Sequence, residues 1–342
     1  MSFEYIRKMP TPEEIKKLIP MDKSLVEIKK KRDMEIRDIF EGKSDKLILI
    51  IGPCSADEEN SVCEYVNRLG RVQEEVKDKL LLIPRIYTNK PRTTGEGYKG
   101  MLHQPNPNGE SNMLEGLKAI RNLHLRVIRE SHLTAADEML YPTNYPYLDD
   151  LLSYIAVGAR SVENQKHRLT VSGVDMPVGM KNPTSGDLSV MLNSIKAAQI
   201  AHNFIYGGNE VKTSGNPLAH AIVRGAVNQY GRNIPNYHYE DMTFLAKRYN
   251  ERELANASII VDANHANSKK MYEEQPRIAM EVIRNMQYSP VLRKMVKGLM
   301  IESYLEDGKQ DVTGKIPGKS ITDSCLGWEK TVKLINEIAE QL

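Results

Sequence analysis

Cysteine is scarce in this sequence: three residues (Cys54, Cys63 and Cys325) in a chain of 342. That excludes a disulfide framework and leaves packing, metal binding or reactivity as the uses of each thiol. A charge excess of one sign is also missing. Lys and Arg number 47 against 45 Asp and Glu, a formal charge of +2, too balanced for the broad basic face of a nucleic-acid binder. Lys29-Lys30-Lys31-Arg32 lies in an amphipathic stretch with acidic neighbours and reads as a solvated helix face. No apolar run reaches the length of a membrane span. Met1-Ser2-Phe3-Glu4 lacks the charged and apolar regions of a signal peptide, so a cytoplasmic protein is expected. No internal repeat, low-complexity tract, C-x-x-C or H-E-x-x-H occurs.

What is present is an alternation. From about residue 46, short β-prone apolar runs are each followed by a longer segment of helical period, the pattern of parallel strands joined by crossover helices. The runs are Leu47 to Ile51, Leu80 to Tyr87, Ala135 to Leu140, Ile155 to Ala159, Pro177 to Met180, Asn203 to Tyr206, Ser258 to Val261 and Val296 to Ile301. Eight runs fit a closed (β/α)8 TIM barrel over residues 46–342, although periodicity alone also allows an open doubly wound sheet. Residues 1–45 break the alternation. Pro10, Pro12 and Pro20 punctuate two charged helical stretches there, which predicts an N-terminal extension outside the barrel, suited to a subunit contact or to regulation.

Polar residues cluster where the runs end, and in a parallel barrel those ends converge on one face. Gly52-Pro53-Cys54-Ser55 follows the first run, Asp262-Ala263-Asn264-His265 the seventh and Glu302 the eighth; Asp323 lies beyond it. One thiolate, one imidazole and two carboxylates suit a borderline divalent ion, Mn, Fe, Co or Zn rather than Mg. Singly, each has a plainer use, as a small buried hydrophobe, a helix cap or a surface carboxylate. Cations recur at the same ends: Arg85, then Lys90-Pro91-Arg92-Thr93-Thr94, Arg160, Lys181 and Arg224. Several Arg and Lys arriving together imply a substrate with more than one anionic group.

With these residues assembled, the chain resembles the type I 3-deoxy-7-phosphoheptulonate (DAHP) synthases over roughly residues 45 to 342. The motifs are Gly-Pro-Cys-Ser at 52–55, Lys-Pro-Arg-Thr-Thr at 90–94, Gly158-Ala159-Arg160, Lys181-Asn182, His265-Ala266-Asn267-Ser268 and the stretch Gly318 to Trp328, in the family's order. The resemblance implies a TIM barrel and a condensation of phosphoenolpyruvate with erythrose 4-phosphate at the head of the shikimate pathway. It implies a divalent metal on Cys54, His265, Glu302 and Asp323. It places phosphoenolpyruvate on Arg85, Lys90, Arg160, Lys181 and Arg224, near Glu138 and Ala159. Arg92 and Thr93, beside Pro91, would hold the phosphate of the aldose.

Lys90 is expected to act as a proton donor, its pKa depressed by neighbouring cations. Cys54 and His265 complete the expected catalytic set. A homodimer or homotetramer is implied, with neither nucleic acid nor membrane as a partner. The nearest alternative, 3-deoxy-octulosonate 8-phosphate synthase, carries Lys-Ala-Asn-Arg-Ser-Ser where this chain has Lys90-Pro91-Arg92-Thr93; a barrel kept only for regulation is a second. Two departures from the family pattern are an extra residue at Gly95-Glu96 and Asp137 in place of a usual Gly. The short N-terminal segment argues against feedback inhibition and does not choose among Phe, Tyr and Trp.

Overall fold

The computed structural model describes residues 2–342. Eight parallel strands form its centre: β1 (Leu47–Gly52), β2 (Leu80–Pro84), β3 (Ala135–Glu138), β4 (Leu152–Val157), β5 (Val178–Lys181), β6 (Ala219–Val223), β7 (Ile259–Asp262) and β8 (Val296–Glu302). They are ordered β2-β1-β8-β7-β6-β5-β4-β3. A parallel bridge from Arg85 to Ala136 joins β2 to β3 and brings the ends together into a (β/α)8 barrel. Each strand is buried on both faces, which is why the runs are continuously apolar rather than alternating. In β1, Ile48 and Ile50 face the barrel interior while Leu47, Leu49 and Ile51 face the surrounding helices.

The extension forms α1 (Pro12–Leu18) and α2 (Lys23–Phe40). Thr11 and Glu14 make a capping box that starts α1, and Asp22 caps α2 through the Leu25 N–H. The extension does more than lie outside the barrel. Ile36, Ile39 and Phe40, at the end of α2, belong to the interior cluster with Ile48, Tyr154 and Ile222. The Phe40 ring sits 4.3 Å from that of His220, closing the N-terminal mouth. Buried Arg121 ties α1 to the barrel wall by donating to the Ile19 and Tyr147 carbonyls and to Asp150.

Two expectations are corrected. The sixth strand is Ala219–Val223, not Asn203–Tyr206. The latter pairs antiparallel with Asn209–Lys212 as a half-exposed hairpin, turned by Gly207 and Gly208 at φ 57° and 80°. A Gly-Gly turn between β-prone residues is a hairpin signal, and Phe-Ile-Tyr there outweighed the weaker Ala-His start of the true strand. After β3 the crossover contains no α-helix either, only a 3-10 helix at Pro142–Tyr147 with Pro142 at its start and Pro146 inside it. Tyr147 of this segment donates to the Pro10 carbonyl ahead of α1.

Candidate active site

The strand ends deliver their side chains to the C-terminal mouth. Cys54 lies two residues past β1, His265 three past β7, and Glu302 is the last residue of β8. Asp323 sits in the loop beyond β8, which Ser55 and Thr322 pin to β1 through their hydroxyls, 3.0 Å apart. One donor atom each from Cys54, Glu302 and Asp323 lies within 4.8 Å of the others. His265 approaches from one side, its Nε2 3.9 Å from Glu302 Oε1, outside that mutual set of three.

The donors fit a divalent cation on two further observations. Lys90 Nζ, a cation, lies 2.6 Å from Cys54 Sγ and 3.7 Å from Asp323 Oδ2. In addition, Asp262 engages His265 through Nδ1, which leaves Nε2 as the nitrogen turned toward Glu302 and the cluster. Asp262 Oδ2 is 2.8 Å from His265 Nδ1 and Arg85 Nη2 is 3.0 Å from Glu302 Oε1, two ion-pair contacts. Burial raises the Cys54 thiol pKa, aided by Glu302 and opposed by Lys90. Burial also pushes the Asp323 carboxyl up, but Lys90 and Lys270 outweigh it and hold it below its ordinary value.

The expected depression of the Lys90 pKa is not found. Burial lowers it, but the negative charges of Cys54, Glu302 and Asp323 outweigh burial and leave it above the ordinary value. The cation nearest in sequence, Arg92, is engaged elsewhere, its Nε donating to the Tyr98 carbonyl at 2.8 Å, and the cation that opposes this rise is Arg85.

Arg85, Lys181 and Arg224 lie at the same mouth. Arg85 is buried against Glu302, the Pro53 carbonyl and the face of Tyr87, 3.7 Å from the ring centre. Lys181 is buried 3.2 Å from Asp262. Arg224 is pushed down by burial, with Arg160 adding like-charge repulsion against the pull of Asp262. Arg85 Nε and Arg224 Nη1 are buried without acceptors, donor capacity that natively buried groups seldom leave unused. Glu138 crosses beneath Gly158, where a Cβ would stand 2.4 Å from Glu138 Oε1. Glycine at 158, two residues before Arg160, is what leaves room for the Glu138 carboxylate there. Pro91 is half-buried and Thr93 exposed on the loop after β2.

Sequence reasoning passed over the residues that hold this set. Asp262 contacts both Lys181 and His265. Asn264 donates to Glu302 Oε2 at 2.5 Å. Asn182 accepts the Arg224 N–H at 2.9 Å and donates to the Gly225 carbonyl. Asp137 accepts from the N–H and hydroxyl of Thr88, ahead of the Lys90 loop, and from the Glu138 N–H; burial pushes it up to about 7. The available signals were adjacency to His265 and Lys181 for the first three and the departure from Gly for Asp137. A cleft of about 830 Å³ opens at the other end of the barrel beside Phe40, Lys46 and Lys297 and contains none of these residues.

Comparison with known proteins gives one answer. The profile described as the DAHP synthetase I family matches residues 21–336. The Tyr-sensitive phospho-2-dehydro-3-deoxyheptonate aldolase of Salmonella typhimurium is 36% identical over 97% of this chain and 92% of its own length. The Phe-sensitive enzyme of Escherichia coli is 37% identical over 89% of this chain and 86% of its own, and the Trp-sensitive one 32% over 98% and 95%. These sensitivities differ at similar identity, so they single out no effector. The solved phospho-2-dehydro-3-deoxyheptonate aldolase of Francisella tularensis superposes with a TM-score of 0.92 at 30% identity, covering 99% of this chain and 98% of its own. A barrel with this arrangement at its C-terminal mouth, matched over nearly its whole length by such relatives, belongs to the DAHP synthetase I family.

Proposed function

We propose that the C-terminal mouth condenses phosphoenolpyruvate with erythrose 4-phosphate, with Cys54, His265, Glu302 and Asp323 holding a divalent Mn, Fe, Co or Zn ion. The activity is that of the family: a transferase making 3-deoxy-7-phosphoheptulonate, the first step of the shikimate pathway to aromatic amino acids. The observation that carries the residue assignment is the meeting of the three-donor cluster with unpartnered guanidinium nitrogens at one end of the barrel.

Arg85, Lys181 and Arg224, with Arg160 at the rim, bind the carboxylate and phosphate of phosphoenolpyruvate beside Glu138 and Ala159. Arg92 and Thr93, stiffened by Pro91, take the aldose phosphate once Arg92 leaves the Tyr98 carbonyl. The substrates repel each other. The cations offset that repulsion and hold C3 of phosphoenolpyruvate within roughly 3–3.5 Å of the aldehyde carbon. As that bond forms, water adds at C2 and phosphate departs. When bound, the divalent ion supplies Lewis acidity toward the aldehyde oxygen. Lys90, kept protonated by its anionic neighbours, stands at the cluster to donate a proton from Nζ to the oxygen that becomes the alcohol.

A homodimer or homotetramer in the cytoplasm completes this reading, supported by the family resemblance. No helix among the described residues is long and apolar enough to cross a membrane. The test uses metal-stripped protein with phosphoenolpyruvate and a divalent ion, offered erythrose 4-phosphate or arabinose 5-phosphate, and follows the loss of phosphoenolpyruvate absorbance. Turnover with erythrose 4-phosphate and metal alone is expected. Preference for arabinose 5-phosphate, or no reaction with either sugar, overturns the substrate assignment.

A further inference from the structure

The turn that carries His265 has an uncommon backbone. His265, Lys269 and Lys270 have φ of 49°, 56° and 61°, the left-handed region that side chains with a Cβ seldom occupy unless surrounding structure enforces it. Here the enforcement is visible. The Lys270 N–H donates to the His265 carbonyl at 2.8 Å, Ser268 Oγ to Asn264 Oδ1 at 2.7 Å, and the Asn267 amide to the carbonyls of Val223 and Asp262.

The turn sends two residues to the same cluster. His265 approaches Glu302, while Lys270 crosses to Asp323 with Nζ 3.1 Å from Oδ1. The other oxygen of Asp323, Oδ2, is the one that faces Cys54 Sγ at 3.6 Å and Lys90 Nζ at 3.7 Å. The two oxygens of one carboxylate are therefore divided, one toward the donors and one held outside by an ammonium group.

We propose that Lys270 is a positioning residue that keeps Asp323 a one-oxygen donor, reserving a coordination place at the cluster for a substrate oxygen. The proposal rests on the reading of Cys54, Glu302 and Asp323 as a divalent-metal site. A carboxylate released from Lys270 is free to rotate and offer both oxygens, binding the ion more tightly while taking the place that substrate needs. The Lys270 side chain is 61% exposed, so the pair adds little to folding. It is nonetheless strong enough to bias the rotation of a single side chain, and its loss leaves the fold intact.

The experiment loads metal-stripped parent, Lys270→Met, Lys270→Arg and Cys54→Ser chains with Co(II). Affinity is read by competition with a chromophoric chelator, and coordination by the visible ligand-field absorption, which weakens as coordination number rises. In Lys270→Met the affinity is expected to increase by roughly fivefold, the absorption to weaken, and kcat to fall by roughly tenfold or more with KM for phosphoenolpyruvate unchanged. Lys270→Arg should restore all three. If Lys270→Met keeps the parent's absorption, whatever its affinity or kcat, Lys270 acts only through its charge and the positioning role is overturned. If the parent takes up no Co(II), or Cys54→Ser takes it up equally well, the metal reading itself fails, a separate result from failure at Lys270 alone.

Discussion

At the N-terminal mouth of the barrel, Ile36, Ile39 and Phe40 fill the interior. The one imidazole there, His220, has both nitrogens engaged, by Tyr154 Oη and the Leu218 carbonyl, each at 2.8 Å. At the C-terminal mouth of the same strands, Arg85 Nε and Arg224 Nη1 are buried without acceptors. Unmet hydrogen-bonding capacity in a folded interior costs about 1–3 kcal/mol per group. One end of the barrel thus gives up stability that the other end supplies. The difference teaches that the site is recognisable by what its side chains lack as much as by what they are.

The comparison predicts opposite phenotypes at the two mouths. Cys54→Ser at the C-terminal mouth should lower turnover by roughly a thousandfold while moving the urea midpoint by no more than about 1 kcal/mol of stability. A large loss of stability in this variant would mean that the thiol serves mainly as packing. Phe40→Ala at the other mouth should destabilise the fold by about 3–5 kcal/mol, with kcat per folded molecule unchanged at low temperature. A fall in kcat comparable to that of Cys54→Ser would erase the division between the ends.

A finer test uses pH. Burial holds the His220 pKa down at about 4, against an ordinary value of 6.5. The unfolded chain therefore binds this proton first as pH falls. Its contribution to stability is intact above the ordinary value and is lost as pH drops toward the folded one. Between pH 7 and pH 5 that loss should be on the order of 2 kcal/mol, read from urea midpoints, and the slope should shrink in His220→Gln. An unchanged slope would assign the effect elsewhere, first to His124, which burial lowers in the same way. The smallest effect is expected from Arg37→Ala, whose partner Asp175 is 98% exposed: under about 1 kcal/mol in stability and none in kcat.

Much of this was legible in the chain because physics wrote it locally. Strands buried on both faces read as unbroken apolar runs, and Leu47–Gly52 and Val296–Glu302 stand out for that reason. Ala219–Val223 did not, because Ala-His carries little β signal and its burial depends on neighbours that only the closed barrel supplies. The same division runs through the site. Cys54, His265, Glu302 and Asp323 could be picked out from residue type and position at strand ends. Asp262, Asn264 and Lys270 act on another side chain and Asn182 on the backbone of Arg224, and each partner is in most cases contributed by a different strand or by the loop after β8. Pairings of that kind are set by strand order, which sequence does not display.

The seating of α2 in the barrel also constrains how the chain can be born. Phe40 leaves the ribosome early, yet its partner Tyr154 follows by about a third of the chain and His220 by more than half. At synthesis rates of about 5–20 residues per second, the helix waits roughly 10–40 seconds with Ile36, Ile39 and Phe40 facing water before the pocket that receives them exists. Until then those three side chains form an exposed apolar end of α2, open to non-native contacts that the closed barrel later removes.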